Sequence, residues 1–421
     1  MRKVISRRKM MSATCTVTVG LAFGMHRREA AAPRAKVEPP SVISMRPNLY
    51  HGWPTLARRR NGELLVVASG GREAHVCPFG WVEMMRSKDG GYTWNYPEVL
   101  YDSPLDDRDA GVLETAKGTL LVTTFTSVAY ESRLTDAETI KSGQEGAWSE
   151  DKLRRWRAAH QRVSATQREA ALDSWMLRST DGGVSWSAPY RCLVNSPHGP
   201  IQLSDGRLLY AGKRFACGSA TRCDGRIGVG ESIDDGLTWR WLAEIPARSG
   251  DRYQDDGYSE LHAVETADGR IVAHIRNANK VNERETLQSE SSDGGRTWSS
   301  PHAIGVWGLP SHLLRLKDGR LVMSYGHRRQ PLGVQARISE THGRTWSEAM
   351  IISGDGTSSD LGYPSTVELD DGSLLTVWYE LMNSSTGDFQ HYLEKGRDPA
   401  WFKKTESLRA VLRQARWRLG S

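Results

Sequence analysis

The sequence predicts an all-β fold: a six-bladed β-propeller with a helical insertion in its second blade. Three observations carry this reading. A turn motif occurs five times, an Xaa-Gly hairpin signal occurs six times, and one interval between turn motifs is far longer than the rest.

The turn motif is S-x-D-x-G-x-T-W. It runs Ser87–Trp94, Ser179–Trp186 (with Ser185 for Thr), Ser232–Trp239 and Ser291–Trp298; a fifth copy, Ser339–Trp346, has Thr341 where the Asp belongs. Successive tryptophans stand 92, 53, 59 and 48 residues apart. These residue types describe a turn. The carboxylate accepts backbone N–H bonds, glycine takes positive φ, and the indole packs between neighbouring units. The aspartates are therefore read as structural, on the face away from any catalytic centre.

The hairpin signal is Asn61-Gly62, Lys117-Gly118, Asp205-Gly206, Asp268-Gly269, Asp318-Gly319 and Asp371-Gly372, each followed by an apolar strand. Each unit then reads strand A, Gly turn, strand B, loop, strand C, Asp-rich turn, strand D. Six such units make the propeller, expected over 41–421. The sixth lacks an Asp box. Phe389–Glu394 is its candidate third strand, and the segment near Val42–Tyr50 is expected to close the ring with Ala410–Leu419, leaving no free strand edge.

The 92-residue interval falls in blade 2, whose strands break off after Phe125 and resume at Ser174. The segment 131–172 contains a charged, Ala-rich stretch, with Ser149 and Ser164 as candidate N-caps, and reads as one or two helices. In a propeller the A–B and C–D turns share one face and the B–C loops the other. The insertion is thus expected over the mouth of the channel, as a lid or as a docking surface for a partner.

Charge excludes one class of function. The chain of 421 residues has a formal charge of +6, but residues 1–32 hold seven Lys/Arg against one acid, and the remainder has 49 of each sign. No basic excess remains to favour nucleic acid. Residues 1–32 read as an export signal: five basic residues in the first nine, a weakly apolar stretch Met10–Met25, then Ala30-Ala31-Ala32. Ser6-Arg7-Arg8-Lys9-Met10-Met11 resembles a twin-arginine signal. The protein is accordingly expected outside the cytoplasm. No run of 18 apolar residues occurs, which excludes a bundle of membrane-spanning helices. Beyond Cys15 in the leader there are four cysteines; Cys217 and Cys223 are the expected disulfide, while Cys77 and Cys192 are paired or buried thiols. With no C-x-x-C and no dense His/Cys cluster, neither a metal nor a cofactor is expected.

The residues nine places before each hairpin glycine sit near the start of strand A: Trp53, Asp109, Pro197, Glu260, Pro310 and Tyr363. Strand A lines the channel, so these six converge. Two of them form a reactive pair, because a carboxylate beside a phenol makes an activated nucleophile.

Here a resemblance becomes specific. Ser259–Asn277 resembles the strand pair of sialidases that carries a Glu and the second Arg of an arginine triad. Gly362–Glu380 resembles their nucleophile-bearing segment, and Gly326–Gly333 is placed like the loop with the third Arg. The resemblance to the sialidase superfamily of Asp-box (BNR) repeat proteins covers about 46–421. It implies Tyr363 as nucleophile, Glu260 as its base, and Arg276 with Arg329 (or Arg328) clamping a substrate carboxylate. Sialidases use a Tyr where most glycosidases use a carboxylate, because the substrate carries its own carboxylate at the anomeric carbon and repels an anion there.

The sequence also departs from the family. Gly52 stands where the first Arg is usual, and Arg72, after strand B, is its candidate substitute. The Asp acid is missing from Glu73–Phe79, leaving His75, Glu73 or Asp109 as substitutes, with His75 favoured as the acid and Asp109 otherwise as a substrate contact. His198 and His312 are expected to be channel spacers. The expected function is release of a terminal sialic acid or related acidic sugar from a glycan. Another glycosidase or a polysaccharide lyase, or a non-catalytic glycan- or protein-binding propeller, are the alternatives.

Overall fold

Six sheets of four main strands account for the described strands of the computed structural model, which describes residues 34–46, 49–214, 225–253, 257–383 and 408–420. Blade 1 comprises Tyr50–Arg58, Leu64–Arg72, Trp81–Ser87 and Glu98–Tyr101, and blade 4 Tyr258–Glu265, Ile271–Asn277, Glu285–Ser291 and His302–Trp307. All pairs are antiparallel meanders, as hairpin connections require.

The ring closes on the sixth blade. Its first two strands, Leu361–Glu368 and Leu374–Asn383, are followed by the C-terminal strand Leu408–Leu419, and Ala35–Val37 adds the outer strand, Ala35 opposite Leu419 and Val37 opposite Trp417. The expected partner strand is correct, since Val42 pairs with Arg413 and Ile43 N–H donates to Leu412 O at 2.9 Å, but the bounds shift: the N-terminal contribution starts earlier, at Ala35–Val37, and Tyr50 already opens blade 1. The sheet thus begins before residue 41. Phe389–Glu394, Cys217, Cys223 and the 1–32 segment lie outside the described residues. Cys77 and Cys192 are buried free thiols.

Alternating apolar residues bury both faces of each blade against its neighbours. One cluster joins blades 3 and 4 through Leu209, Val229, Leu261, Ala273 and Trp298; another joins blades 4 and 5 through Val272, Leu313 and Met323. The Asp-box tryptophans reach into these seams, as Trp94 does toward blade 6, where its indole donates to Gln414 at 3.1 Å. Within the boxes the expected turn chemistry is present. Thr93 N–H donates to Asp89 at 2.9 Å, Gly91 N–H to Ser87 at 2.8 Å, and Ser87 to Asp89 at 2.8 Å. In the fifth box Thr341 Oγ1 takes the place of the carboxylate, accepting from Thr345 N–H at 2.8 Å.

Three helices stand between the second and third strands of blade 2: α1 (Tyr130–Thr139), α2 (Glu150–Gln161) and α3 (Ala165–Ala171). Ser149 caps α2, and Ser164 forms a capping box with Gln167 on α3. The inner faces of α1 and α2 make a small core of their own, Tyr130, Leu134, Leu153 and Trp156, around Cys77 of blade 1. Glu73 fastens this layer, accepting from the Trp156 indole at 3.1 Å and pairing with Arg155.

Candidate active site

Four first strands share a backbone irregularity near their starts. Trp53, Asp109, Glu260 and Tyr363 have φ of 54°, 49°, 47° and 52°, left-handed values that cost a non-glycine residue about 1–3 kcal/mol. Each sits at a register shift. Pairing steps from Ser259–Arg276 to Leu261–Ile275 around Glu260, and from Gly362–Tyr379 to Ser365–Val377 around Tyr363; Trp53 and Asp109 occupy matching breaks. A bulge re-aims a side chain that regular pleating would turn elsewhere. In blade 3 the left-handed residue is His198, at 74°, one place past the position selected by spacing.

The bulges bring Tyr363 and Glu260, from blades 6 and 4, into direct contact: the phenol donates to Glu260 Oε1. Arg276 lies on both, its Nη1 donating to the two carboxylate oxygens at 2.7 and 2.6 Å and to Tyr363 Oη at 3.2 Å. Tyr363 is almost wholly buried, with Tyr379 and Trp53 rings 5.7 and 6.3 Å away. Burial first, then the Glu260 charge, pushes its pKa well up, with Arg276 opposing. The phenol is therefore neutral at rest and loses its proton only to a partner in place.

Asp109 belongs to the same electrostatic group. Burial and the Glu260 charge raise its pKa to about 7, against the pull of Arg108, Arg72 and Arg276. Its Oδ1 is buried without a protein partner. A carboxyl in that state carries a proton near neutrality, which suits an acid.

The arginines sort differently from the expectation. Arg328, not Arg329, is the one beside the tyrosine: its guanidinium carbon is 5.9 Å from the Tyr363 ring centre, and its Nε donates to Leu361 O at 3.0 Å. Arg329 is exposed and stacks on Trp307 at 3.7 Å. Arg276 and Arg328 line a cavity of about 330 Å³, together with Asn277, Glu283, Arg284 and Trp307. Arg72 is not free to replace the missing first arginine. It is completely buried, bidentate with Asp106, and donates to His75 O at 2.8 Å. Gly80 makes room for that pair, since a Cβ there would meet Arg72 Nη1 at 2.2 Å.

His75 stands at the rim, 47% exposed, its ring 5.0 Å from Trp53. Its Nδ1 is 2.8 Å from Tyr50 Oη and 3.1 Å from Asp360 Oδ1. Asp360 also accepts from Tyr50 at 2.9 Å and Tyr379 at 2.8 Å. Sequence reasoning missed Asp360, Tyr50 and Tyr379. The available signal was proximity: Asp360 precedes Tyr363 by three residues, and Tyr379 pairs with Gly362. His198, His262 and His312, from blades 3, 4 and 5, pack ring to ring, 4.5–5.3 Å apart; burial holds all three neutral. Among the described residues no group of His, Cys, Asp and Glu has the geometry to hold a metal.

The six sheets define a six-bladed β-propeller with a Tyr–Glu–Arg cluster assembled from the starts of its first strands. The family model for the BNR repeat-like domain matches residues 147–376, and the chain belongs to that family. Among solved structures, a protein of unknown function from Dyadobacter fermentans is similar over 92% of this chain and 99% of its own, at 22% identity and a TM-score of 0.66. A Hadza microbial sialidase follows at 17% identity and TM-score 0.55, over 80% of this chain and 63% of its own. The intramolecular trans-sialidase of Ruminococcus gnavus, in complex with oseltamivir carboxylate, is similar at 16% identity and TM-score 0.53, over 88% and 94%. At these identities the likeness is one of fold. No curated protein gives a significant match.

Proposed function

We propose that this chain is an exported exo-glycosidase of the sialidase type, acting on a terminal sugar that carries a carboxylate. The observation behind this reading is the Tyr363–Glu260 hydrogen bond with Arg276 lying across both groups. The phenol oxygen of Tyr363 bonds to the anomeric carbon as its proton passes to Glu260. The glycosidic bond breaks and its oxygen takes a proton from an acid. Water, deprotonated by that same acid's conjugate base, then displaces the tyrosine, which recovers its proton from Glu260. Arg276 and Arg328 hold the sugar carboxylate, with charge-assisted bonds of about 1.5–3 kcal/mol each.

For the acid this reading favours Asp109, half-protonated near pH 7 with a buried, unpartnered oxygen, over His75, which is 47% exposed and paired with Asp360. The test is a panel of fluorogenic glycosides, including a sialoside and a uronide, with purified protein and with Tyr363→Phe. Turnover by wild type alone supports the reading; equal turnover by Tyr363→Phe ends it.

One observation favours a second reading. With Gly52 in blade 1 and Arg72 consumed by Asp106, Arg276 and Arg328 are the arginines against the tyrosine among the described residues, with Arg284 farther along the same cavity wall. A glycosidase or lyase for another uronic or keto-sugar fits that reduced clamp, and the uronide arm of the panel separates it from sialic acid release.

A further inference from the structure

A second pocket, of about 290 Å³, lies between the helical layer and the His75 loop. Ala74, His75 and Val76 form one wall; Arg133 of α1, Trp148 before α2, and Lys152 and Trp156 of α2 form the rest. It is at the small end of the range for ligand sites. Its lining includes no carboxylate, because Glu73, the nearest acid in that loop, is taken by Arg155 and Trp156. Trp148 is half-buried and meets Trp156 at 4.6 Å, and the Lys152 ammonium stands 4.0 Å from the Trp148 ring centre. The walls thus combine indole surface with two cations.

The pocket adjoins the channel cluster through one residue. His75 lines it and also contacts Trp53, which is edge-on to Tyr363. Two ring contacts separate it from the nucleophile, a separation that two linked sugar rings bridge.

We propose that this pocket is the subsite for the sugar on the leaving-group side of the scissile bond, and that it selects one bearing a carboxylate or sulfate. The proposal rests on the Tyr363 cluster being the place of bond cleavage. Indole surface takes the apolar face of a sugar ring, and Arg133 with Lys152 meets its anionic group. The preferred substrate is then an oligosaccharide acidic on both sides of the bond cleaved, and the helical layer is the specificity element.

The test compares the double variant Arg133→Ala/Lys152→Ala with wild type on two substrates of one terminal sugar: its methylumbelliferyl glycoside, and the same sugar linked to glucuronic acid. We expect kcat/KM on the glucuronic acid conjugate to fall about tenfold or more, as loss of a charge-assisted contact implies, with the methylumbelliferyl glycoside changed less than about twofold. Equal losses on both substrates, or none, overturn the proposal. If wild type cleaves neither, the glycosidase reading has failed, and methyl glucuronide binding by NMR titration decides the subsite by itself. Binding lost in Arg133→Ala/Lys152→Ala but kept in Arg276→Ala supports it, and any other pattern overturns it. A matched thermal melt of the double variant shows that it folds.

Discussion

The two ends of the propeller solve opposite problems with the same repeat. At the Asp-box end, four boxes make the same bonds: Asp89, Asp234 and Asp293 each accept from a Thr N–H at 2.9 Å, and Asp181 from Ser185 N–H at 3.0 Å. At the other end the backbone repeats but the chemistry does not. Trp53, Asp109, Glu260 and Tyr363 share a left-handed bulge and carry four different side chains. Where every blade needs the same turn, the residues are copied; where one pocket is assembled from several blades, only the backbone that aims them is copied.

The ends also titrate in opposite directions. Hydrogen bonds from Thr93 and Thr297 hold Asp89 and Asp293 down at about 2, whereas burial pushes Asp109 up to about 7. A lowered carboxylate adds stability above its unfolded value near 4, lost as pH falls toward 2. A raised one does the reverse: its contribution is full below about 4 and is lost as pH rises through about 7.

The sharpest break in this comparison is Tyr363→Phe. It keeps the ring contacts with Trp53 and Tyr379 but removes the hydroxyl proposed as nucleophile, so turnover of any cleaved glycoside should vanish while the melting curve stays in place. Next in size are the proposed proton carriers. Glu260→Gln should cost about 10²–10⁴ in kcat, and Asp109→Asn a similar factor. If Asp109 is the acid, the wild-type rate falls above about pH 7 and the Asn variant loses that limb; a larger loss in His75→Ala would move the role to the rim.

Smaller effects are expected among the arginines. Arg276→Ala and Arg328→Ala should each raise KM for an acidic substrate about tenfold or more, with Arg329→Ala near wild type, a contrast that steady-state kinetics reads directly. Smallest is the Asp-box end. Asp89→Ala removes one turn of several and should lower Tm by about 1–3 °C, with kcat unchanged. A kcat loss there would mean that the two ends are coupled through blade 1.

The architecture was legible because it is periodic. Boxes and hairpin glycines recur at blade spacing, and a local turn needs only residues within reach of one another in the chain. The Tyr363–Glu260 pair was legible for the same reason, since equal offsets from equal turns place residues at one height in the channel. What the periodicity could not convey lies off the repeat. Arg328 and Arg329 are neighbours on a loop, and only the fold decides which of them turns to the tyrosine and which to Trp307. Arg72 kept its register yet lost its availability to Asp106, contributed by the next blade. Asp109 had the right offset, but its proton depends on burial by several blades at once. Such properties arise from charges and surfaces brought together over long sequence separations, where burial and pairing, not spacing, set what a side chain can do.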